Sequence, residues 1–98
     1  MLSVYLDIKP SKSTTKKYDA VFYINDIKIK TISFGAKNYI DFTIGATPKQ
    51  RFNYLNRHRD RENWDTPFSA GSLSRWILWD TNDINKNIKK FKKRFNLK

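Results

Sequence analysis

The segment Leu73-Ser74-Arg75-Trp76-Ile77-Leu78-Trp79 restricts the fold more than any other feature of the chain. On a helix it is apolar on most sides, so that helix must be central and covered. Only 39% of the 98 residues are hydrophobic. A chain of this size builds one core, and a modest one, so the remaining elements must pack around this helix. Seven Phe, five Tyr and three Trp offset the shortage, because large rings bury much area per residue. The helix is expected over 70–79, capped by Ser69 or Asp65.

The first half reads as strands. Val4, Leu6 and Ile8 alternate with Tyr5, Asp7 and Lys9, which predicts a strand over 2–9, ended by Pro10. Lys9 to Lys17 is polar and aperiodic, and reads as an exposed basic loop. Alternation resumes from Tyr18 to Ile24, with Ala20, Phe22 and Ile24 on one face. Asn25-Asp26 then separates it from Ile27-Lys28-Ile29-Lys30, the pattern of a type I′ hairpin. The apolar phase changes between Ile29 and Ile32, so a bulge is expected near Lys30-Thr31, with Gly35 ending the strand. Residues 38–44 suggest a short fourth strand.

Two further helices follow from their caps. Thr47-Pro48-Lys49-Gln50 combines a capping box with Pro at the first helical position, predicting a helix to about Arg61 with Phe52, Leu55 and Arg59 on one face. Asp83 opens a helix over 83–95 in which Ile84, Ile88, Phe91 and Phe95 form one apolar stripe. The expected class is therefore α+β, one domain over 1–98. An N-terminal antiparallel sheet of three or four strands is followed by three helices.

Composition excludes several functions. There is no Cys, so disulfides, thiolate chemistry and Cys-based zinc sites are ruled out. No apolar run approaches the ~18–20 residues that span a bilayer. Met1 to Asp7 has no basic n-region and meets a charge early, unlike a signal peptide, so an intracellular site is expected. No phosphate-binding glycine motif involves Gly35, Gly45 and Gly71, and no cofactor is expected.

The net charge is +11, from 20 Lys and Arg against nine Asp and Glu. Such a field favours polyanions. The 14 Lys, 10 Ile and nine Asn also match the bias of an AT-rich genome, so part of the Lys excess needs no partner. Arginine is less easily explained in that way. The candidate phosphate contacts are Lys49, Arg51, Arg57, Arg59 and Arg61 on the middle helix, and Lys86, Lys89, Lys90, Lys93 and Arg94 on the last. The alternative for the arginines is pairing with Asp60, Glu62 and Asp65, and for the last helix a solvated face.

Other polar residues have weaker readings. His58, without Cys, makes no ordinary zinc site and reads as a packed or hydrogen-bonded residue; Asp60 lies on a different helical face. Asp41, Asp60, Glu62 and Asp65 match no nuclease spacing, and no metal site is expected. Arg75 sits among apolar residues and needs a carboxylate; Asp60, Glu62 or Asp41 is expected, or stacking on a Trp. Trp64, Trp76 and Trp79 read as core rather than as base-stacking platforms.

Four segments occur in order: Phe34-Gly35-Ala36-Lys37, Asp41-Phe42-Thr43, Arg57 to Trp64 and Ala70 to Trp79. In these the chain resembles a family of small proteins from giant nucleocytoplasmic DNA viruses, over Lys17 to Phe95. It departs at Asn38, Phe42 and Ile44-Gly45-Ala46, where the family often has Gly, Tyr and a polar stretch. The resemblance implies a viral setting, a virion or a viral factory in the host cytoplasm, and implies no activity.

The expected function is a non-enzymatic module that binds DNA or RNA phosphates with little sequence preference. A structural module docking on an acidic, viral protein is the alternative, and an enzyme with a carboxylate site is third. A continuous positive surface of Arg51, Arg57, Lys89, Lys90 and Lys93 favours nucleic acid; scattered cations, or a broad apolar patch exposed beside them, favour a protein partner.

Overall fold

A computed structural model describes residues 3–98. Three antiparallel strands, β1 (Val4–Pro10), β2 (Lys16–Ile24) and β3 (Ile27–Ala36), form one sheet in the order β1-β2-β3. The expected strand start at Leu2 lies outside the described residues. Asn25 and Asp26 both have positive φ, 51° and 64°, as a type I′ turn requires. Phe22 pairs with Lys30 but Tyr23 pairs with Lys28, so Ile29 is the bulged residue, just before the expected Lys30-Thr31.

Two strand expectations change. β3 continues through Gly35 to Ala36, with Gly35 at φ 80°. A Cβ there would lie 2.8 Å from Leu78 Cδ1, so glycine lets the sheet end meet the central helix. The fourth strand at 38–44 does not form. Instead Asp41 accepts the Thr43 N–H and caps a single 3₁₀ turn, Phe42–Ile44, which Gly45 ends at φ 107°. A carboxylate that bonds its own backbone locally competes with strand pairing.

Helix α1 (Pro48–His58) starts on the expected capping box between Thr47 and Gln50. It stops at His58 rather than Arg61, because Glu62 folds back onto His58. Its buried residue is Tyr54, flanked by half-buried Arg51, Leu55 and His58. Phe52, expected on the inner face, is 60% exposed.

The central helix α2 (Ala70–Leu73) is capped by Ser69 and continues as a π-helical segment, Ser74–Leu78. Leu73, Ile77, Leu78 and Trp79 are buried. The wider π winding suits a helix that must present apolar residues in several directions. These residues join Leu6, Ala20, Phe22 and Phe34 of the sheet, Tyr54 of α1 and Phe91 of the last helix in one core. Rings and branched side chains from both layers therefore exclude water from a single space.

Helix α3 (Ile84–Arg94) is capped by Asp83, whose carboxylate accepts the N–H groups of Asn85 and Lys86. Ile84, Ile88, Phe91 and Phe95 face the core as expected. Asn96 (φ 54°) ends the helix, and the chain returns so that Lys98 pairs with β1: Lys98 N–H donates to Val4 and Leu6 N–H to Lys98. No helix among the described residues is long and apolar enough to cross a membrane.

Asn87 has no role in the apolar stripe, yet it is fully buried. Its amide donates to the carbonyls of Ile77 (2.8 Å) and Thr81 (2.9 Å), and its oxygen accepts from the Thr81 N–H (3.1 Å) and hydroxyl (2.5 Å). This one side chain ties α3 to the end of the central helix. Asn87→Ala strands these partners in a buried site, and urea unfolding should show a loss of about 3 kcal/mol.

Candidate functional site

Asp80 stands where the three helices approach one another. Its Oδ1 lies 3.7 Å from Arg75 Nη1 and 3.9 Å from Arg51 Nη2, and its Oδ2 lies 2.7 Å from Lys90 Nζ. One carboxylate thus faces three cations. Arg51 Nε also donates to the carbonyls of Trp79 (2.7 Å) and Asp80 (3.0 Å). Arg75 was expected to pair with Asp60, Glu62 or Asp41; its partner is Asp80, which follows directly on the central helix. Its Nε and Nη1 are buried without an acceptor among the described residues. Ring faces compensate in part: Arg75 Cζ lies 4.1 Å from the Trp76 centroid and 5.3 Å from that of Trp64. Burial pushes the Arg75 guanidinium pKa down, Asp80 opposes this, and Arg51 and Arg94 add repulsion.

The ten candidate phosphate contacts separate into two sets. Arg51 is held inward, Lys90 is paired with Asp80, and Arg94 lies 3.6 Å from the Trp76 ring centroid. Lys49, Arg57, Arg59, Arg61, Lys86, Lys89 and Lys93 are exposed, and take part in no ion pair or side-chain hydrogen bond among the described residues. Pairing of the 57–61 arginines with Asp60, Glu62 or Asp65 does not occur. Lys86, Lys89 and Lys93 recur at helical spacing and share a stripe of α3 beside Lys90. Arg51 and Lys90 meet on Asp80, whereas Arg57 opens onto a separate cavity.

That cavity, of about 520 Å³, lies between the sheet end, α1 and the start of the central helix. Lys17 and Asp41 meet in its wall at 2.5 Å, and Lys17 also donates to the Tyr39 carbonyl. Lys17 was expected in an exposed loop; it is a β2 residue turned toward a buried carboxylate. On the opposite wall His58 Nδ1 lies 3.1 Å from Glu62 Oε2, while Glu62 Oε1 accepts from Trp64 Nε1 at 3.0 Å. The His58 ring stacks on Tyr54 (4.2 Å), and Tyr54 stacks on Trp79 (4.3 Å, 7° between planes). Gly71 makes the arrangement possible, since a Cβ there would lie 2.8 Å from Glu62 Cδ.

The His58–Glu62 pair was missed by sequence reasoning although its i,i+4 spacing on a helix is legible. Lys17–Asp41 and the Asp80 cluster left no local signal, because they join residues far apart in the chain. Trp79 is core as expected; Trp64 and Trp76 are half-buried cushions for Arg75. No three His, Asp or Glu residues gather as metal ligands among the described residues.

Residues 6–58 match the Family of unknown function (DUF5754). This is more than half of the chain, and the chain belongs to that family. The match spans the sheet and α1 and stops before Glu62, the central helix and α3. No curated protein and no solved structure matches the chain.

Two outcomes follow. Asp80→Asn leaves Arg75 and Arg51 without their compensating charge in a half-buried site, and should lower the unfolding free energy by about 3 kcal/mol in denaturant titration. Burial, with the Glu62 carboxylate second, pushes the Tyr54 phenol pKa well above its ordinary value. The folded protein then keeps this proton where the unfolded chain, with an ordinary Tyr pKa of about 10, loses it. Stability should be flat with respect to this group below that pH and fall above it. Tyr54→Phe should remove that part of the alkaline slope.

Proposed function

We propose that the protein binds nucleic-acid phosphates through α3 and the cation cluster beside it. The observation that carries this reading is the stripe of Lys86, Lys89 and Lys93. These exposed cations have no partner among the described residues, and they share α3 with Arg94, which lies over the Trp76 ring, and with Lys90, which shares the one carboxylate of Asp80 with Arg51 and Arg75. A cationic helix face releases counterions from a phosphate backbone and gains affinity without reading bases. Pairing within the protein offsets little of that charge. Arg57, Arg59 and Arg61, at the far end of α1, make a second cationic group rather than a continuation of the first.

The reading is non-enzymatic, with DNA and RNA both as ligands. A viral setting, in a virion or a viral factory, rests on the segment resemblance alone. Exposed Tyr39, Ile40, Ile44 and Phe52 support a second reading, in which this side of the molecule contacts a protein partner.

Titration with short DNA and RNA duplexes over a salt series tests the proposal. Affinity should fall steeply with salt, and Lys86/Lys89/Lys93→Ala should flatten the slope of log K against log salt by about 2 to 3. Absence of binding at low salt removes the nucleic-acid reading and leaves the apolar side as the surface to explain.

A further inference from the structure

The cavity between β2, α1 and the central helix is not used by binding along α3, and its chemistry is specific. Both acids in its wall are already satisfied. Asp41 takes the Lys17 ammonium and the Thr43 N–H and hydroxyl, and Glu62 takes the Trp64 indole N–H and His58 Nδ1. Two of its cations are not. Lys16 and Arg57 line the cavity, are exposed, and have no ion pair or side-chain hydrogen bond among the described residues. The wall therefore carries surplus positive charge with free donors.

His58 adds directionality. Glu62 holds its Nδ1, and a carboxylate in that position fixes the ring and its tautomer. Nε2, on the other side of the ring, has no partner among the described residues. The ring cannot swing away, being stacked on Tyr54. Gly71 lets Glu62 take this place and Gly35 lets Leu78 and Lys17 take theirs, so two cavity walls depend on absent side chains. The remaining lining combines an apolar and aromatic part, Ala36, Ile40, Leu78 and Trp79, with the uncharged polar residues Gln50, Asn53 and Ser74. Its volume of about 520 Å³ is that of a small-molecule site rather than of a groove for a folded partner.

We infer that this cavity binds a phosphomonoester carried on a planar body, a nucleoside 5′-monophosphate or the 5′-phosphorylated end of a strand. Arg57 takes the phosphate with a planar fork of donors, Lys16 adds charge from the sheet side, and His58 Nε2, the acceptor of the tautomer that Glu62 fixes, accepts from a sugar hydroxyl. The base and sugar lie on the apolar wall. The inference does not rest on binding along α3, since none of the α3 lysines lines the cavity.

Calorimetric titration of the full chain with adenosine 5′-monophosphate, adenosine, inorganic phosphate and a 5′-phosphorylated trinucleotide tests it. The monophosphate should bind about tenfold or more tighter than either adenosine or inorganic phosphate, because each lacks one half of the recognised chemistry. The tighter of the monophosphate and the trinucleotide identifies the source of the phosphomonoester. Arg57→Gln should weaken binding by about tenfold or more, and His58→Asn should weaken it with the far-ultraviolet circular dichroism unchanged. Lys86/Lys89/Lys93→Ala should leave it unaltered while flattening the salt dependence of duplex binding, which separates this site from the α3 surface. Equal affinity for adenosine and its monophosphate, no binding of either phosphomonoester, or an unaffected Arg57→Gln variant would overturn the inference.

Discussion

The structure depends on one carboxylate facing three cations. In a chain of net charge +11, three helices that each bring a cation to one meeting point need a counter-charge there. Asp80 supplies it by drawing on Arg51 from α1, Arg75 from the central helix and Lys90 from α3. The site is sheltered enough for each attraction to exceed that of a surface pair, and short enough of negative charge that the balance stays positive. Trp64 and Trp76 complete the arrangement with their ring faces, so that Arg75 can be buried with two donor atoms unbonded. The helix predicted to be central from its apolar residues is thus central electrically as well. Lys49, Arg57, Arg59, Arg61, Lys86, Lys89 and Lys93, freed from packing, are exposed to solvent.

A second line of dependence runs through the glycines. Gly71 makes room for Glu62, Glu62 fixes His58, and His58 closes a stack that continues through Tyr54 to Trp79 in the core. Gly35 makes room for Leu78 and seats Lys17, which neutralises Asp41 at the 3₁₀ turn. Both chains of contacts end at the same cavity. Its walls are therefore held by the core, while the side chains of Lys16 and Arg57 at its surface make no ion pair or hydrogen bond among the described residues. A rigid wall with unengaged donors is the preorganised condition in which a small ligand binds at low entropic cost.

The local features were legible in the sequence. Alternation at 4–8 and 18–24, the Asn25-Asp26 turn, the capping box at Thr47 and the stripe from Ile84 to Phe95 depend on neighbours a few residues apart. The same physics acts in the peptide and in the fold. What was not legible depends on contacts across the chain. Asp80 read as part of a helix break because Arg51 and Lys90, two of its three partners, reach it from other helices. Lys17 read as a loop cation because its partner, Asp41, is 24 residues away. The fourth strand failed for a reason within reach of the sequence: Asp41 followed two residues later by Thr43 is a local capping pair, and that competes with strand formation. Phe52 was placed inside because it is apolar, but Tyr54 takes the inner position, since only a ring at that register can stack between His58 and Trp79.

The division of the cations also reverses an argument from composition. Arginine was the better functional candidate, because codon bias enriches lysine and not arginine. In the folded chain Arg51, Arg75 and Arg94 are engaged in packing, through carbonyls, Asp80 and the Trp76 ring. The guanidinium suits that task because its planar, weakly hydrated surface tolerates burial against aromatic rings. Lys86, Lys89 and Lys93, candidate contacts of a residue type that genomic bias also enriches, are left unengaged on a helix face. Arg57, Arg59 and Arg61 are the exceptions, unengaged like these lysines, and Arg57 lies on the rim of a cavity. It lies with Lys16, Lys17, Gly35, Asp41, Tyr54 and His58 inside the region shared with the family, residues 6–58, whereas α3 lies beyond it. The opposite part of the cavity wall, Glu62, Gly71, Leu78 and Trp79, comes from beyond those residues, so the cavity is closed only where the two parts of the chain pack together.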